Sequence, residues 1–159
     1  MAHFDDLTAY VYMAHSVRPG TKNIGWLDAA TPFPQSVPDG AFLTRLWAYC
    51  QISVVQTRGI HPCELCSAGT QTIFGWHGDE SLLLGTAEIR VFGATGDIYA
   101  APTLIYHYVK DHHYAPPEEF VHAVMMDPLP PDPTYISRLD RLALQWRKTT
   151  AGPSGPKIA

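Results

Sequence analysis

Two cysteines separated by two residues, Cys63-Glu64-Leu65-Cys66, and two later histidines, His107 and His112, constrain this chain more than any other feature. A Cys-x2-Cys pair can hold one ion through a tight knuckle. The His-x4-His spacing falls within the range of Cys2His2 sites. Pro62 before the first cysteine and Gly69 after the second suit such a turn. The pattern predicts a structural zinc ion held by Cys63, Cys66, His107 and His112. Four protein ligands fill a tetrahedral shell and leave no position for a reactive water. His113 is an alternative to His112, and His61 an added or replacement ligand. A Cys-x-x-Cys can also be a redox pair, but those sit at helix N-termini in βαβ units, a pattern this sequence lacks. Five residues of ideal helix turn through about 500°, so rings at 107 and 112 do not share a face. The helix end before Pro116 therefore has to loosen.

Around this pattern the composition is that of a packed protein. Hydrophobic residues make up 46% and charged residues 16% of the 159, which argues against a disordered chain. The length suits one domain, expected over 1–148, with a polar, disordered tail at 149–159. Fourteen prolines and twelve glycines favour short elements joined by rigid turns over a helical bundle. The net charge of −4 argues against a dedicated nucleic-acid binder, whose affinity comes from neutralising phosphates. Arg138, Arg141, Arg147 and Lys148 cluster, and read as a solvated helix face. Residues 1–13 carry two acids, no lysine or arginine and no apolar core, so they do not read as a signal peptide. No stretch is long enough to cross a membrane. Three cysteines is an odd count, two of them in a Cys-x-x-Cys pair; in a cytoplasmic chain, the setting expected here, that pattern favours metal or redox work over a disulfide framework.

The elements expected are those of an α+β fold: a small antiparallel sheet with flanking helices and a treble-clef-like zinc site. Tyr10–Met13 reads as a short strand. Asp39 caps a helix over 40–50 whose apolar face is Phe42, Leu43, Leu46, Trp47 and Cys50. Cys50 is thus a core thiol. Strands follow at 52–56, 72–76 and 82–92, the last with Thr86, Glu88 and Arg90 on one face, and then a hairpin turn at 94–97 leads into 98–101. Helices are expected from Pro102-Thr103 to before Pro116, over 117–126, and over 134–148, where Asp132-Pro133 supplies a cap.

Other residues offer chemistry, each with a plainer reading beside it. Glu88 could serve as an acid/base, or form an ion pair with Arg90 on a half-exposed strand. His77 with Asp79 and Glu80 reads as a turn, and His122 near Glu118 and Glu119 as surface pairing. Arg58, Trp26, Tyr99, Tyr106 and Tyr114 are residue types that make binding hot spots, although such aromatics are mostly core. No nucleophile elbow, phosphate loop or dinucleotide fingerprint is present.

Several blocks carry a resemblance. They are Phe4-Asp5-Asp6-Leu7 with Tyr10; Asn23-Ile24-Gly25-Trp26-Leu27; and Gln56-Thr57-Arg58-Gly59-Ile60-His61-Pro62-Cys63-Glu64-Leu65-Cys66. Further on come Leu83-Leu84-Gly85-Thr86-Ala87-Glu88-Ile89-Arg90-Val91 and Tyr99-Ala100-Ala101-Pro102. The last comprises Ile105-Tyr106-His107-Tyr108-Val109 with His112, Tyr114, Pro116-Pro117 and Phe120. Over residues 4–125 the chain resembles a bacterial family of small zinc-knuckle proteins of unknown function. Some similar proteins look like immunity proteins encoded beside polymorphic toxins such as ADP-ribosyltransferases. The resemblance implies a cytoplasmic, non-enzymatic protein that binds and occludes a cognate toxin. The alternative is a small metal-assisted hydrolase or nuclease, with Glu88 and His61, His77 or His113 doing acid/base work.

Overall fold

The computed structural model describes residues 3–57, 59–66 and 72–155. Its order is β1 (Thr21–Asn23), α1 (Gly40–Cys50), β2 (Ile52–Gln56), β3 (Phe74–His77), β4 (Glu80–Leu83), β5 (Ala87–Phe92) and β6 (Ile98–Pro102). These are followed by α2 (Ile105–His112), α3 (Glu118–Met126), α4 (Pro133–Arg141) and β7 (Trp146–Lys148). The fold is α+β. Five strands form one sheet in the order β1-β6-β5-β2-β7, and β3 and β4 form a separate hairpin. The larger sheet is mixed rather than purely antiparallel, because β1 runs parallel to β6.

Local sequence accounts for several elements directly. The Asp39 carboxylate accepts the Phe42 N–H and starts α1, which buries Phe42, Leu46, Trp47, Tyr49 and Cys50. Asp132 accepts the Thr134 N–H, and Pro133 opens α4. Helices α1 and α3 pack on β5 on one side of the sheet. On the other side Tyr10, Trp26 and Ala100 form a second small core, with Phe4 and Tyr12 around them. Tyr10–Met13 is not a strand; Ala9 makes one bridge to Lys22, and a 3-10 turn follows at Ala14–Ser16. Among the described residues no helix is long and apolar enough to cross a membrane.

Further expectations need correcting. The run 82–92 is two strands, β4 and β5, which belong to different sheets. Gly85 lies at φ +91° between them, and a Cβ there would stand 2.3 Å from the His61 carbonyl oxygen. The last helix stops at Arg141, and Trp146–Lys148 pairs as β7 with β2. The four basic residues are therefore divided between a helix and a strand: Arg138 bonds Asp127, and Arg147 bonds Gln56. Residues 149–155, expected as a disordered tail, instead run beside β2 and β4. Thr149 bonds Ser53, and the backbone of Thr150, Gly152 and Gly155 pairs with Leu83, Ser81 and Asp79.

Strand β5 is buried along its whole length, so Glu88 and Arg90 are not a half-exposed pair. Both are 0% exposed. Their ion pair measures 2.7 Å, and the Tyr10 hydroxyl reaches both Glu88 oxygens at 2.8 and 2.9 Å. The guanidinium also lies 4.7 Å from the Tyr10 ring centre. Burial raises the Glu88 carboxyl above its ordinary value, and Arg90 and Tyr10 offset part of that rise.

Candidate metal centre

Helix α2 and the knuckle before β3 build the site. Helix α2 is buried on the core side through Ile105, Tyr106, Tyr108 and Val109. Its last turn opens: the Tyr108 carbonyl accepts both the His113 and Tyr114 N–H groups, and His113 sits left-handed at φ 59°. That is the loosening the His-x4-His spacing requires. The ring centres of His107 and His112 come to 4.9 Å, nearly perpendicular. The knuckle is held from below by the His61 N–H donating to the Gly85 carbonyl at 2.8 Å. Only glycine at 85 admits that approach.

The sulfurs of Cys63 and Cys66 and one ring nitrogen from each of His107 and His112 lie within 4.8 Å of one another. These four residues could hold a metal ion. Cys63 Sγ is 3.4 Å and Cys66 Sγ 3.4 Å from His112 Nε2, and Cys66 Sγ is 3.3 Å from His107 Nε2. The two Nε2 atoms are 3.2 Å apart. A tetrahedral zinc ion, with bonds of about 2.3 Å to sulfur and about 2.05 Å to nitrogen, sets sulfur–nitrogen separations of about 3.5 Å and nitrogen–nitrogen separations of about 3.3 Å. These four separations match those dimensions. His61 and His113, the alternative ligands, lie outside it.

The protonation chemistry suits a metal. Burial lowers His107 and His112 below the ordinary imidazole value, so both rings are neutral near pH 7 with lone pairs free to ligate. Burial pushes the Cys63 thiol up to about 11 in the metal-free cluster. An incoming cation has to displace that proton, and binding is coupled to proton release. His107 Nδ1 lies 2.8 Å from Asp111 Oδ2, which turns Nε2 toward the cluster. Sequence reasoning missed Asp111; the available signal was a carboxylate four residues after a ligand histidine.

The other candidates are occupied elsewhere. Glu88 is committed to Arg90 and Tyr10. His77 stacks on Trp47, with ring centres 5.6 Å apart, and its Nδ1 lies 3.1 Å from the Tyr106 hydroxyl. Glu119 bonds Tyr99 and Lys22 rather than His122. Trp26, Tyr99, Tyr106 and Tyr114 are core residues. Arg58 lies outside the described residues.

Fold and site together define an α+β protein with a Cys2His2 cluster that could hold a metal ion. The chain belongs to the family described as a domain of unknown function (DUF7919), whose model matches residues 2–125 and so contains all four cluster residues. No curated protein and no solved structure matches it.

Proposed function

We propose that this is a zinc-stabilised binding protein that acts by direct contact with another protein, and that its partner is a cognate bacterial toxin such as an ADP-ribosyltransferase. The observation that carries the reading is the closed donor set. Two sulfurs and two imidazole nitrogens complete a tetrahedron, so a bound zinc ion keeps no position for water or substrate. Such an ion stabilises the fold rather than reacting. The hydrolase alternative loses its acid/base group, because Glu88 is fully buried and its oxygens are taken by Arg90 and Tyr10. The net charge of −4 suits encounter with a basic cleft.

The test is a titration of the zinc-loaded protein against any toxin domain found encoded by a neighbouring gene. Inhibition should end at an equimolar ratio, with a complex of the same ratio by light scattering. Full protection at a small catalytic fraction of the toxin concentration would replace the binding reading with an enzymatic one.

A further inference from the structure

A cavity of about 300 Å³ lies between the 3-10 turn, β2 and the segment joining α4 to β7. It shares no residue with the metal cluster, and one wall falls beyond the part of the chain matched by the family. Its floor is apolar, with Val55 and Leu144 buried. Its rim carries His15, Trp146 and Arg147. Both walls are built with unusual backbone. Val55, a β-branched residue, sits at φ 54° in the bulge between Val54 and Gln56, and Ala143 opposite also has φ 54°. Valine in that region is an outlier, and such conformations concentrate where a ligand is held.

The walls are also stapled. Arg18 donates from Nε to the Leu142 carbonyl at 2.7 Å and from Nη2 to the Ala143 carbonyl at 3.3 Å on one side. Its Nη1 donates to the His15 carbonyl at 3.0 Å on the other. The Val55 N–H donates to the Gln145 carbonyl at 3.2 Å and closes the third side. The opening is therefore set before any ligand arrives, which removes much of the ordering cost of binding.

We propose that this cavity binds a small planar anion, with its flat apolar body against Val55, Leu144 and the Trp146 ring and its charged group between Arg147 and His15. Arg147 spends one donor on Gln56 Oε1 at 2.8 Å, and its other donors have no partner among the described residues. The His15 ring and the Ser16 hydroxyl likewise have no hydrogen-bond partner there, although the His15 ring interacts electrostatically with the buried Glu88 carboxylate. Among the described residues no carboxylate lines the cavity. Asp140, next to that wall, is taken by the Trp146 indole N–H at 3.0 Å. Donors with no carboxylate lining the same cavity, above an apolar floor, favour an anion over a cation or a neutral amide.

Calorimetric titration of the full, metal-loaded chain with naphthalene-2-carboxylate tests this, with naphthalene-2-carboxamide as the neutral control. The carboxylate should bind saturably and shift the Val55 amide and Trp146 indole signals in nitrogen–proton correlation spectra. Arg147→Met should weaken it by about tenfold or more, the loss of one charge-assisted hydrogen bond, and the carboxamide should bind the wild type comparably weakly. His15→Ala, on the exposed rim, provides a second variant that leaves the core intact. No saturable binding at millimolar carboxylate, equal affinity for the carboxamide, or shifts confined to other residues would each overturn the proposal.

Discussion

His107 and His112 come from one short helix, yet their spacing alone does not put them on one face. The open last turn and the left-handed His113 bring the rings to a shared point opposite the two sulfurs. Each donor therefore has a specific job, and its loss has a specific effect. On the proposal that the cluster holds structural zinc, Cys63→Ser and His107→Ala should each lose the metal and unfold or aggregate, because such an ion supplies roughly 10–16 kcal/mol of apparent binding free energy in small zinc domains. Metal analysis with melting curves checks this, and a variant that kept both its metal and its melting temperature would refute the ligand set. Asp111→Asn should keep the fold but weaken zinc affinity by about 10- to 100-fold, since it orients His107 without touching the ion. Competition with a chromophoric chelator measures that loss.

Strand β5 and the turn before it link the sheet to the knuckle. Glu88→Gln should destabilise the protein by about 3–5 kcal/mol, because it strands the Arg90 charge in a fully buried site. Denaturant titration reads the change, and a shift below about 1 kcal/mol would mean Arg90 finds water there. Gly85→Ala forces a Cβ to within 2.3 Å of the His61 carbonyl at an already left-handed φ. The knuckle has to move, so zinc affinity should fall together with stability, a joint loss that metal titration and melting can read on one sample. The 82–92 run misled as sequence because its alternation continues through Gly85. Nothing in the pattern says that the chain changes sheets there; only the close approach of the knuckle does.

The whole molecule is closed by its C-terminal part. Strand β7 covers the edge of β2, and residues 149–155 run on to β4. Deleting residues 142–159 should leave β2 as an exposed edge and lower the melting temperature, with aggregation on heating; light scattering during a thermal ramp would show it. The helix expected over 134–148 failed here for a tertiary reason. Ile136, Leu139, Leu142 and Trp146 do recur at helical spacing, but the unpaired edge of β2 takes Trp146–Lys148 as a strand. Local periodicity loses to backbone hydrogen bonds that only the assembled sheet offers.

By itself the sequence determined the features that rest on neighbours along the chain. These include the Asp39 and Asp132 caps, helix α1, the 94–97 turn and the residue types and spacing of the metal cluster. Each depends on side chains within a few residues, or on a donor set with few other uses. Tertiary structure alone decided the parallel β1, the burial of Glu88 and Arg90, the part of Asp111 and the cavity walled by Val55 and Ala143. Apart from Asp111, which a local i,i+4 spacing to His107 already offered, those rest on segments far apart in sequence, and their energies exist only once the segments meet.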